Sequence, residues 1–192
     1  MDRRSVLRYS AVGLAALGGC LGSSTNDPTS DSESFVELSI ERAEAEREEV
    51  SLSATVTEQA SQNGPARLSI TLRNEGSERS FFFGASPPFS HYWSKSPQND
   101  TDMIAIPDNR QYVRARDAET IGALIPDKST DTFWRATGSL IRLDISFEKV
   151  LNNGESLTEG YTLLSQHENE IDLQSGMYVF EGSGRSVSLT AN

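Results

Sequence analysis

From residue 35 onward, apolar and polar positions alternate with a period of two, the mark of strands with one buried and one wet face. Val36, Leu38 and Ile40 open the series, followed by Val50, Leu52, Ala54 and Val56, then Leu68, Ile70 and Leu72. Asn74, Glu75, Gly76 and Ser77 read as a turn, and Phe81, Phe82 and Phe83 begin the returning strand. Further strands are expected at Met103 to Ile106, at Tyr112 and Val113, and at Phe133, Trp134, Arg135 and Ala136. Leu143, Ile145 and Phe147 alternate cleanly, and Asn152, Asn153 and Gly154 turn the chain. Strands at 157–164, 177–180 and 187–189 close the series. Many short strands separated by turn signals predict an all-β fold, an antiparallel β-sandwich.

Three stretches depart from the alternation. Residues 42–49 (RAEAEREE) carry helix formers without an apolar stripe, which predicts a solvated connector or one exposed turn. Residues 118–125 fit a short helix or a strand equally well. Residues 21–34 (LGSSTNDPTSDSES) hold too little apolar surface to repay ordering, so a disordered tether is expected at 20–34. The sandwich domain is then residues 35–192.

The first residues obey a different logic. Arg3, Arg4 and Arg8 precede a short, mildly apolar run from Tyr9 to Gly19, the build of an export signal at residues 1–19. That run is too short to cross ~30 Å of hydrocarbon, which takes about 20 helical residues. The Arg3-Arg4 pair resembles a twin-arginine signal. Leu17, Gly18, Gly19 and Cys20 resemble the lipobox of bacterial and archaeal lipoproteins. That resemblance implies a glyceryl lipid on the Cys20 thiol and cleavage that leaves Cys20 first. Two acyl or alkyl chains suffice for lasting attachment, whereas one gives only marginal binding. Cys20 is also the only cysteine, so no intramolecular disulfide can form. The expected address is the cell membrane, lipid-anchored and facing the extracellular side.

Charge adds a constraint. The chain has 17 basic and 28 acidic side chains, a net charge of −11. Loss of residues 1–19 removes Asp2, Arg3, Arg4 and Arg8 and moves the net to −13. The only lysines are Lys95, Lys128 and Lys149. An acidic, lysine-poor surface stays hydrated in concentrated salt, and the pattern resembles the surface lipoproteins of salt-loving archaea. At ~1 M salt the Debye length is ~3 Å, so the acidity solvates the body and does not steer partners over distance. Nucleic-acid binding is disfavoured, because phosphates need the opposite sign.

Local patterns carry a family resemblance. Leu68 to Gly76 is a strand ending in Asn-x-Gly, followed by Phe81, Phe82 and Phe83. Phe133, Trp134 and Arg135 form an aromatic-rich segment. Leu151 to Leu157 leads to Tyr161, and Leu173 to Phe180 contains Gly176-Met177-Tyr178, which looks like a tyrosine corner. In that order they resemble the intracellular proteinase inhibitor domain of bacilli. The resemblance implies an immunoglobulin-like sandwich and raises inhibition of an exported protease as one function. The long stretch 86–131 departs from the compact loop usual in that family, and no inhibitory residue carries over.

Candidate chemistry is sparse. Phe89, His91, Tyr92 and Trp93 form an aromatic loop able to stack a sugar or grip a peptide, or to plug the end of the sandwich. His91 and His167 are the only histidines and lack zinc-ligand spacing, so no metal is expected. Asn99, Asp100, Thr101 and Asp102 alternate oxygen donors but lack the glycine and distal glutamate of a calcium loop. Glu168, Glu170 and Asp172 read as a solvated acidic run. Neither histidine sits beside a nucleophile signature, so no catalytic residue and no cofactor are expected. The expectation is a non-enzymatic binding module engaging an extracellular protein or small ligand. A protease inhibitor, or a solute-binding or envelope-structural protein, is the alternative.

Overall fold

The computed structural model describes residues 34–84, 86–98, 101–109, 113–116, 120–129, 132–141, 145–169 and 171–192. They belong to one compact unit. Among them eleven strands run in chain order. These are β1 (Leu38–Ala45), β2 (Val50–Glu58), β3 (Arg67–Asn74), β4 (Arg79–Phe83), β5 (Met103–Pro107), β6 (Arg114–Ala115), β7 (Leu140–Ile141), β8 (Phe147–Leu151), β9 (Ser156–Ser165), β10 (Gly176–Gly182) and β11 (Arg185–Ala191).

All the strand pairings are antiparallel. One sheet has the order β2-β3-β9-β5 and a second has β1-β11-β10, while β4 pairs with β8 and β6 with β7. The protein is an all-β sandwich. Its core is the sum of the alternating positions: Leu68, Ile70 and Leu72 from β3, Tyr178 and Phe180 from β10, and Val187 and Leu189 from β11. Residues one step away on the same strands face outward, as the pleat requires.

β5 breaks the alternation. Met103 to Pro107 are buried at every position. Burial on both faces means that a further layer covers this end of the four-stranded sheet. Phe133, Trp134 and Ala136 belong to the same buried cluster, and Trp134 donates Nε1 to Ser61 O at 2.8 Å. The aromatic segment 133–136 was expected to be a strand. It is not one: a single parallel bridge joins Arg135 to Ser165, and its bulk serves as packing.

Residues 42–49 also differ from expectation. β1 runs through Ala45, and only 46–49 form the bend that leads into β2. Pairing of Arg42 to Ala45 with β11 overrides the helix propensity of the run. Residues 121–124 form one 3₁₀ turn. Tyr112, Ala118 and Leu143, which the alternation had drawn into neighbouring elements, lie outside the described residues.

Two side chains tie the turns down. The Tyr178 hydroxyl donates to Gln174 O at 2.8 Å, four residues back, and lies 2.8 Å from the Thr101 hydroxyl. Buried Asn74 donates Nδ2 to Ser77 O at 2.8 Å and Leu151 O at 2.9 Å, and accepts from Gly76 N at 3.2 Å. Asn74 thereby joins the β3–β4 turn to the β8–β9 turn.

Candidate functional site

The turn between β10 and β11 borders two concavities of the described surface. Gly182 pairs with Arg185, leaving Ser183 and Gly184 as a two-residue loop. Their φ values of 56° and 70° are both left-handed, as the favoured hairpin turn requires. Glycine adopts that conformation without penalty, but Ser183 does not. Its hydroxyl is held 2.8 Å from the Ser90 hydroxyl. Ser90 itself is wedged between glycines: a Cβ on Gly84 would stand 2.5 Å from Ser90 Cα, and one on Gly182 would stand 2.7 Å from Ser90 N.

Arg185 follows the turn directly. Its guanidinium carbon lies 4.9 Å from the Phe83 ring centre and 5.5 Å from that of Phe81. Those two rings are stacked 6.4 Å apart with planes 5° from parallel. Nη1 donates to Pro88 O at 2.9 Å and Phe82 O at 3.3 Å. Burial first, and the charge of Arg47 second, hold the Arg185 pKa below its ordinary value. The group stays cationic at any physiological pH. Among the described residues no carboxylate pairs with it. A partly buried cation balanced only by ring faces and carbonyls is an unusual element in so acidic a chain.

Arg185 forms the wall between two clefts. The first, about 360 Å³, is lined by Arg47, Arg79, Arg185, Val50, Phe81 and Phe82 among others. Arg79 is ion-paired with Glu49, and Phe82 is 57% exposed. The second, about 600 Å³, is lined by Glu44, Glu46, Glu181, Lys95 and His91 as well as Arg185. Lys95 Nζ meets Glu181 Oε1 there at 2.5 Å. One concavity is therefore basic and aromatic, and its neighbour is acidic.

No family model, curated protein or solved structure matches this chain. Function must be argued from the chain itself.

The aromatic loop divides sharply. Phe89 and Tyr92 are each only 1% exposed, so their rings are core and pack as the plug that the sequence reading offered beside a contact surface. The reason is in the backbone. Tyr92 O accepts from Ala105 N at 2.6 Å, Ser94 N donates to Met103 O at 2.7 Å, and Lys95 exchanges two 2.9 Å bonds with Val179. The segment laces β5 of one sheet to β10 of the other, which pulls alternate side chains inward. His91 and Trp93 remain half-buried, stacked at 5.1 Å with planes 14° apart. Of the four, His91 lines the acidic cleft.

The other candidates are engaged elsewhere. Thr101 is fully buried with its hydroxyl 2.8 Å from that of Tyr178, and the Asp102 backbone N–H donates to Asn169 Oδ1 at 3.2 Å. His167 Nδ1 lies 3.2 Å from Ala136 O. Asp172 Oδ1 accepts from Arg135 Nη2 at 2.8 Å, and Glu168 is bonded to Ser139, which holds its pKa below the usual carboxylate value. Among the described residues no group of three or more His, Cys, Asp or Glu is placed to hold a metal ion. Nor is any helix there long and apolar enough to cross a membrane. Arg3, Arg4, Leu17, Gly18, Gly19, Cys20, Asn99, Asp100 and Glu170 lie outside the described residues, as does nearly all of the 20–34 tether.

The basic cleft was missed by sequence reasoning. Arg47, Arg79 and Arg185 are far apart in the chain and each reads as an isolated surface charge. The usable signal was local: Gly182-Ser183-Gly184-Arg185 is a tight-turn sequence with a cation placed directly after it.

Proposed function

We propose that this chain is an extracellular lipoprotein, anchored to the membrane through Cys20, whose sandwich is a non-enzymatic binding module. The address rests on the ordered sequence signals: Arg3 and Arg4, a short apolar run, and Leu17-Gly18-Gly19-Cys20 at its end. The binding role rests on Arg185, a partly buried cation without a carboxylate partner among the described residues, set in the wall of two clefts. Concave sites with a few convergent polar groups against apolar walls are the usual form of a ligand site. The 20–34 segment tethers the body at a distance from the headgroups.

Cell fractionation tests the address. The native chain partitions with membranes and is cleaved by protease added to intact cells. Cys20→Ser moves it to the soluble fraction or the medium. A Cys20→Ser chain that stays membrane-bound removes the lipid anchor from the account.

A further inference from the structure

We propose that the cleft between Arg47, Arg79 and Arg185 binds a singly charged organic carboxylate whose apolar body lies against Phe82. This rests on the binding-module reading above and names the ligand class of the same site. The first support is the donor geometry of Arg185. A guanidinium carries five N–H donors in a fixed fork. Nη1 is used on Pro88 O and Phe82 O, whereas Nε and Nη2 find no acceptor among the described residues. Nε and Nη2 share one edge of the guanidinium plane, the edge that takes a carboxylate through two parallel bonds.

The second support is local charge. Arg47, Arg79 and Arg185 line the cleft, Glu46 also lines it, and Glu49 is bound to Arg79. Three cations against two carboxylates leave one positive charge, which a monoanion neutralises and a dianion overshoots. Arg47 is exposed and makes no ion pair among the described residues, so its charge is free to turn toward a ligand.

The third support is the apolar wall. Phe82 is the most exposed of the large apolar side chains described, and it borders the cleft beside Val50 and Phe81. An exposed aromatic residue at the border of a cleft lined by guanidiniums suits a ligand with an anionic head and an apolar body. At the high salt to which this surface is suited, long-range attraction is screened. Contact-range bonds and ring burial then supply the selectivity.

N-acetylphenylalanine is the probe, titrated calorimetrically into the full-length chain at the salt that maintains the fold. The acid is expected to bind, its neutral amide at least tenfold more weakly, and acetate or inorganic phosphate more weakly than the acid. Arg47→Gln, at an exposed position, is expected to weaken binding about tenfold without moving the melting temperature. Phe82→Ser is expected to weaken it several-fold. A tetrapeptide ending in phenylalanine that binds as tightly as the small acid assigns the site to peptide C-termini. Binding of the small acid alone assigns it to free carboxylic acids. Equal binding of acid and amide, tighter binding of phosphate, no effect of Arg47→Gln, or no binding at all overturns the proposal. Such a failure leaves the binding-module reading standing if Phe82 is still shielded on living cells.

Discussion

Gly182 lies so close to Ser90 that a side chain on it would stand 2.7 Å from the Ser90 nitrogen. That contact seats the β10–β11 turn on Ser90 and fixes the place from which Arg185 enters the clefts. Backbone, not a flexible side-chain tip, occupies the space, so the neighbour cannot yield cheaply. Gly182→Ala is expected to destabilise the fold by about 2–3 kcal/mol, through overpacking and strain at its φ of +153°. Gly64, with nothing within 4 Å of its would-be Cβ, serves as the control. Chemical denaturation of Gly64→Ala should stay within about 0.5 kcal/mol of the parent. Comparable losses at the two positions would show that the Ser90 seat is not tight.

Asn74 joins two turns through bonds to Ser77 O, Leu151 O and Gly76 N. Asn74→Ala removes the donor from both turns and strands the buried Leu151 carbonyl. A loss of about 2–4 kcal/mol is expected, since each unsatisfied buried group costs about 1–3 kcal/mol. A denaturation midpoint equal to the parent's would mean that the two turns hold without the bridge.

Glu159 gives the fold a pH dependence of known sign. Burial first, and the neighbouring Asp108 carboxylate among the lesser causes, raise its pKa above the ordinary 4.5. Asn109 N, which donates to Glu159 Oε1 at 2.9 Å, opposes the rise. A carboxyl with a raised folded pKa favours the fold most when protonated, below its unfolded value. That contribution is lost as pH rises through the folded pKa. Glu159→Gln keeps the acceptor and removes the charge. Its melting temperature should exceed the parent's at neutral pH, with the difference shrinking to nothing below about pH 4. An advantage that is the same at both pH values would place the effect in packing and not in charge.

Acidity acts on the whole body as well. With 28 acidic against 17 basic side chains, repulsion grows as salt is withdrawn and the Debye length lengthens. Thermal unfolding of the full-length chain across a salt series should show the melting temperature falling steadily toward dilute buffer. A melting temperature independent of salt would contradict salt adaptation.

The sandwich was legible in the sequence because its signal is local. Leu68, Ile70 and Leu72 announce a half-buried strand by spacing alone, and Asn74 to Gly76 announce its end. Elements whose state depends on distant partners were not legible. Arg42 to Ala45 form strand because β11 is there to pair with, and Phe133 and Trp134 are buried in the common core while Trp134 and Ala136 bond the backbone of Ser165. The aromatic loop could be read from its composition either as a contact surface or as a plug, because rings serve both. Its backbone bonds to Ala105, Met103 and Val179 are what send Phe89 and Tyr92 inward. The basic cleft joins Arg47, Arg79 and Arg185 across three separate strand ends, a proximity that only the sheet order creates.

Occupancy of that cleft on living cells tests the account most directly. Hydroxyl-radical footprinting compares oxidation of Phe82 and Ile171, which are 57% and 46% exposed. On intact cells Phe82 should be oxidised several-fold less, relative to Ile171, than in the dialysed full-length protein. The same Phe82 to Ile171 ratio in both preparations would mean that nothing occupies the cleft in place, and would contradict its role as the binding site.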